Sequence, residues 1–389
     1  MRDLVRRIDA ATPPDRDRAV DALRALAILG VVLGHWLVTA LVVDSGTLRA
    51  VSPLQRMPEL APVSWTFQTL AVFFFVGGQV AAGGHASARA RGATYGQWLR
   101  ARLARLFRPV AAVLMVWTVA VLALFAAGAG FDTVHALVKL VLSPLWFLLV
   151  FTALTAATPL LARMNPLWPL AVVLYVDLFR FGLDGPAALG WINVAAGWMV
   201  PYCLGAQRAR GRLTSRTTGW ALLTGGAAAT AGLVLVAGYP ASMVGVPGAA
   251  VSNLNPPTLA AVTFGLAQCG AALLLLGPLR RVLARPAAWA AVALLNLYAM
   301  TVFLWHQTAM IAVTATGLLA GRPLPGLHTV PDGAGWVLAR LAWLPVFAGA
   351  LLVCWAAFRT YEQGGGRTRG GGRVMRVHRA ERAATVPHA

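Results

Sequence analysis

DALRALAILGVVLGH, residues 21–35, opens a membrane-length apolar run and sets a histidine deep inside it. A helix through Leu23–Val43 is long enough to span a bilayer. It carries Arg24 and His35 three turns apart, ~16 Å along the axis and within roughly 20° in azimuth. One face of the helix therefore holds both side chains. Arg24 sits at a polar boundary, where its long stem snorkels to phosphate level, while His35 lies past mid-depth in hydrocarbon. An ionisable group at that depth is costly. Either His35 faces a polar cavity and works there, or it is a neutral imidazole hydrogen-bonded to a carbonyl of a neighbouring helix.

The rest of the chain makes the same solvent assignment. Of 389 residues 58% are hydrophobic and 12% charged, and the mean hydropathy is +0.68, which is the composition of a polytopic membrane protein. The net charge of +20 does not indicate nucleic acid, because the arginines fall between apolar runs and in the tail. The first twenty residues mix Arg and Asp with Pro13 and Pro14 and hold no apolar core, so the first span is expected to stay in the mature protein. Cys203, Cys269 and Cys354 lie in or beside apolar segments without close pairing, a pattern of core packing rather than of disulfides or a metal site.

Working outward in both directions, hydropathy gives about ten spans: Leu23–Val43, Val63–Gly83, Pro109–Ala127, Val141–Leu161, a short Leu167–Phe181, Leu189–Ala206, Trp220–Ala237, Thr258–Leu276, Val292–Leu318 and Trp336–Phe358. Arg89, Arg91, Arg100, Arg102, Arg105 and Arg108 crowd the link after the second span with no acid among them. Arg208, Arg210, Arg212 and Arg216 follow the sixth span, and Arg280, Arg281 and Arg285 the eighth. All these basic links fall on one side, which the positive-inside rule makes cytoplasmic. The expected fold is an all-α, polytopic transmembrane bundle with both termini inside. It divides into a cytoplasmic arm (1–21), a membrane domain (22–358) and an Arg/Gly-rich tail (359–389) too polar to bury a core, hence expected to be disordered. The tail's charge suits anionic lipid headgroups.

Arg102 and Arg105 have the i, i+3 spacing that stacks two guanidiniums on one helical face at the cytoplasmic start of the third span. Such a fork suits phosphate; the plainer alternative is a pair of topology anchors on lipid headgroups. Asp177 and Arg180, also i, i+3, can neutralise one another inside an apolar segment, as a structural pair or as part of a cavity. His306, deep in the ninth span, either lines the cavity of His35 from the opposite side or is a hydrogen-bonded packing histidine. No phosphate loop, zinc-spaced cluster or nucleophile elbow is present in the sequence.

Five features together resemble the integral-membrane acyltransferase-3 family, the bacterial O-acetylase type. They are Arg24 followed by His35 in the first span, Phe73-Phe-Phe-Val-Gly-Gly78 in the second, Arg102-x-x-Arg105 before the third, Pro144-Leu-Trp-Phe-Leu148 in the fourth and Phe303-Leu-x-His306 in the ninth. The resemblance implies a ten- or eleven-helix bundle in the bacterial inner membrane. It implies acyl-CoA, acetyl-CoA above all, as a cytoplasmic co-substrate with no resident cofactor or metal. The acceptor would be a hydroxyl of a glycan, a lipid-linked sugar or a small molecule. His35 is the implied catalytic residue, and Arg102 and Arg105 the implied donor-binding ones; Arg24, at the same cytoplasmic rim, is placed to join them. Gly77 stands where many members have serine and Gln79 where many have an aromatic, so contacts there do not transfer. The extracytoplasmic esterase-like domain fused to some relatives is absent from this sequence.

The chemistry agrees with that implication. A neutral imidazole, with an ordinary pKa of about 6.5, accepts a proton from a hydroxyl at physiological pH, and ~16 Å from rim to histidine is comparable to the reach of a pantetheine arm. An acyl-histidine relay is the alternative to direct transfer. The rival class is a secondary transporter or flippase using His35, His306, Asp177 and Arg180 as a proton relay. The sequence shows no inverted repeat and few acids at depth for that role.

Overall fold

The computed structural model describes residues 2–44 and 47–363. Among them nine helices are long and apolar enough to cross a membrane: Arg18–Val38, Leu70–Ala90, Tyr95–Ala126, Phe131–Ala156, Ala187–Ala209, Arg216–Leu235, Leu259–Val282, Ala299–Ala320 and Ala334–Thr360. A shorter passage, Leu167–Asp177, continues through one wider turn over Leu178–Gly182. It takes the fifth place, so that the chain alternates sides as the hydropathy requires. The other nine are the first to fourth and sixth to tenth spans.

Hydrogen bonds sort the links between spans into two ends. At one end Arg280 pairs with Asp17 at 2.6 Å, Arg18 donates to the Leu283 carbonyl, Arg210 to that of Ala162, and Tyr95 to that of Ala156. The arm and the basic links thus share one face, the cytoplasmic one. At the other end Leu48 donates its backbone N–H to Thr133 Oγ1, Gln55 donates to the Pro247 carbonyl and Trp65 to that of Ala241.

Several elements begin or end elsewhere than hydropathy places them. The first helix starts at Arg18 because Asp17 caps it, its carboxylate accepting from Ala19 N. The arm before it folds as its own helix, Arg2–Ala10. The first helix stops at Val38, and Ala40–Asp44 pairs antiparallel with Thr47–Val51, a β-branched stretch that favours a strand. Buried Arg340 closes that end: Nε donates to the Trp36 carbonyl at 2.7 Å and Nη2 to the Thr39 carbonyl at 2.6 Å. It supplies partners where a helix C-terminus leaves carbonyls open. The fourth span starts at Phe131 and is split at Ser143–Pro144. The ninth is split at Tyr298 into Pro286–Leu297 and Ala299–Gly317. The tenth runs to Gln363, past Phe358; residues 364–389, the remainder of the expected tail, lie outside the described residues.

The glycine pair of the second span does what small residues do between membrane helices. A Cβ on Gly78 would strike the Tyr202 carbonyl of the sixth span, and one on Gly205 would strike the Phe75 carbonyl of the second. These two helices touch backbone to backbone, with Phe74 stacked on Trp198 at 5.0 Å beside the contact. That contact fixes the wall of aromatics on which the site is built.

Candidate active site

On the first span Arg24 and His35 point into two different hollows. Arg24 Nε donates to Asn296 Oδ1 at 2.6 Å, and Asn296 Nδ2 donates in turn to the carbonyls of Asp21 and Val292. The amide stands at the break of the ninth span and sets the direction of the guanidinium. Arg102 Nη2 donates to the Val80 carbonyl at 2.6 Å and lies 5.8 Å over the Trp98 ring. Arg105 reaches back to the Ala101 carbonyl. Arg24, Arg102 and Arg105, together with Arg16 of the arm, line one cavity of about 580 Å³ on the cytoplasmic side. No acid is among the residues lining it, though Asp21 sits close by, 2.6 Å from Arg16 and 3.6 Å from Arg24. Deeper in, the same hollow is apolar, with Ile28, Phe73, Val76 and Phe151. Gly77 also lines it, and a Cβ there would collide with the Phe151 ring. At Gly77 the space of a side chain is taken by an aromatic reaching across from the fourth span.

The arm covers this cavity. Ile8, Ala11, Thr12 and Pro13 line it, held by Trp289 Nε1 donating to Thr12 Oγ1 at 2.7 Å and by Arg18 paired with Asp9 at 2.9 Å.

His35 lines a second cavity, about 270 Å³, toward the opposite face. Thr39, Gln68, Ser143 and Trp146 share the lining with Val244, Gly245 and Pro247 of the uncharged link between the seventh and eighth spans. Gln307 Nε2 lies 3.0 Å from His35 Nδ1, which leaves Nε2 of the imidazole for the cavity. Gln307 is fully buried and its Oε1 has no partner. Turned through 180°, the same amide accepts from Nδ1–H, so it can serve the ring in either tautomer.

His306 is fully buried, with its ring 5.1 Å from that of His35. Its Nδ1 faces the Phe303 carbonyl at 2.6 Å, which assigns the proton to that nitrogen. Its Nε2 has no partner. His306 is not among the residues lining the His35 cavity; it stands behind His35.

Phe147 and Phe303 line both hollows. Their rings are 5.6 Å apart, with Phe73 set edge-on to Phe147 at 4.9 Å. The two hollows approach each other at this pair.

Asp177 and Arg180 belong to neither hollow. The Asp177 carboxylate accepts from Asn193 Nδ2 at 2.9 Å, Tyr239 OH at 3.1 Å and Leu259 N at 2.6 Å, with Arg180 Nη1 at 3.7 Å. It ties the end of the short fifth passage to the start of the eighth span. Burial first, and then the Asp177 charge, push the Tyr239 hydroxyl well above its ordinary pKa, so Tyr239 stays a donor to that carboxylate. Among the described residues no His, Cys, Asp and Glu group could hold a metal ion.

Three residues of the arrangement escape a reading by sequence alone: Gln307, Asn296 and Arg16. Gln307 and Asn296 did leave a signal, since an amide inside an apolar run needs partners as a charge does. Arg16 left none, because its place depends on how the arm folds back.

A family model described as an acyltransferase domain matches residues 17–359. No curated protein and no solved structure matches the chain.

Proposed function

The chain belongs to the acyltransferase-3 family, and from that premise we propose that it moves an acyl group, acetyl foremost, from cytoplasmic acyl-CoA to a hydroxyl of a carbohydrate, cell-envelope glycan or natural product at the bacterial inner membrane. The observation that carries this reading is the pair of hollows facing opposite sides, one lined by arginines and one by an imidazole, that share Phe147 and Phe303.

Guanidiniums bind phosphates by charge-assisted, often bidentate hydrogen bonds. Arg102 and Arg105, with Arg24 and Arg16 across the same cavity, suit the phosphates of CoA, and the apolar depth beyond them suits the pantetheine arm. The thioester then comes up to Phe147 and Phe303. The acceptor approaches from the other face, its hydroxyl at His35 Nε2. As the hydroxyl oxygen attacks the thioester carbonyl, His35 takes its proton. The new C–O bond forms, the C–S bond breaks, and the departing CoA thiolate receives the proton from the imidazolium. Gln307, presenting its oxygen to Nδ1–H, holds the ring through both protonation states. The transporter reading finds less support: Asp177 is committed to Asn193, Tyr239 and Leu259, so the relay it requires is not assembled.

The test is transfer of labelled acetyl from acetyl-CoA into an extract of the native host, with wild type and His35→Ala compared at matched folding. General-base catalysis contributes about 10²–10⁴-fold, and a loss of that size with acetyl-CoA binding retained is the expected result. An active alanine variant removes His35 from the chemistry. Label in no product with wild type, from any acyl-CoA, removes the transferase reading.

A further inference from the structure

We propose that Phe147 and Phe303 set the length of the acyl chain this protein transfers, restricting it to short groups. The inference deepens the acyl-CoA reading and rests on it. Among the residues lining the two hollows, these two alone are common to both. A thioester whose CoA phosphates stay on the cytoplasmic arginines can deliver its carbonyl to the neighbourhood of His35 only where these rings stand.

The rings have little slack. Phe147 is 3% exposed and Phe303 5%. Phe147 is wedged edge-on between Phe73 at 4.9 Å and Phe74 at 5.1 Å. Phe303 backs onto the His306 ring at 6.1 Å, and His306 backs onto His35. A close-packed cluster of this kind does not open by a methylene or two without moving its neighbours. Beyond it lies the outer cavity of about 270 Å³, a small one beside the usual ~300–1,000 Å³ of ligand sites. That space must also receive the part of the acceptor that bears the hydroxyl. An acetyl group takes the least of that space, and each further methylene takes it from the acceptor.

The experiment sets acetyl-CoA against hexanoyl-CoA in one mixture, with host extract as the source of acceptor. It compares wild type, Phe147→Ala and Phe303→Ala, and adds Phe147→Leu and Phe303→Leu in case an alanine variant does not fold. The readout is the ratio of hexanoyl to acetyl product, which is independent of how much protein is active. Methylenes in an apolar pocket discriminate by about tenfold or more. Wild type is expected to give a ratio below about one in ten, and the smaller side chains to raise it by about tenfold or more. Equal use of both donors by wild type overturns the proposal, as does an unchanged ratio in variants that still transfer acetyl; both leave the acyltransferase reading standing. Absence of transfer from either donor by wild type overturns the two together.

Discussion

The inner hollow is lined by Arg16, Arg24, Arg102 and Arg105. The outer one has no Asp, Glu, Lys or Arg in its lining and a single titratable residue, His35. Both are cut into the same bundle and share two side chains, yet they differ in almost every physical respect. A ligand with fixed negative charges is recognised most economically by fixed positive ones, which also draw it in from solution. A hydroxyl that must lose its proton is better served where no fixed charge competes for the base. The lining of one hollow suits charge, that of the other shape and hydrogen bonds. Salt should accordingly weaken donor binding.

The contrast breaks most visibly at the arginines. Replacing Arg102 and Arg105 together by alanine removes two charged hydrogen-bonding partners. At the lower end of the range, about 1.5 kcal/mol each, apparent affinity for acyl-CoA should fall ~100-fold. Transfer at saturating donor should change little, and titration of the detergent-solubilised variant with acyl-CoA separates the two quantities. Unaltered affinity would return these arginines to the lipid headgroups. On the other side, Gln307→Leu keeps the size of the side chain and removes the partner of His35 Nδ1. Here kcat should drop by about tenfold, in the range of losses when an orienting hydrogen bond is deleted, and KM for acyl-CoA should stay put. An effect on KM alone would mean that the two hollows are not separable. The smallest effect on turnover is expected from Asp177→Asn, which touches neither. Thermal midpoint should fall, since a buried hydrogen-bonded charge is worth ~1–3 kcal/mol, and transfer per folded molecule should remain within about twofold of wild type. A large catalytic loss there would reinstate Asp177 as part of a relay.

What could be read in the sequence was local or periodic. The common face of Arg24 and His35 follows from 3.6 residues per turn, and the sidedness of the basic links follows from counting arginines. The Asp17 cap starts the span at Arg18, and hydropathy alone places that start five residues late. Where packing over long separations decides, the sequence is silent. Arg340 serves carbonyls 301 and 304 residues earlier in the chain. The arm closes over a cavity whose walls come from five spans, and His306 is turned behind His35 with its Nδ1 held by the Phe303 carbonyl. The spacing of Asp177 and Arg180 was correct for a pair. It could not announce that Asn193, Tyr239 and Leu259 would claim the carboxylate.

The Phe147–Phe303 closure has a consequence for the membrane as well as for the reaction. Two hollows joined end to end would open a polar path through any bilayer the bundle spans. With rings packed at 5.6 Å, the same pair that the two hollows share also keeps them from merging into one channel.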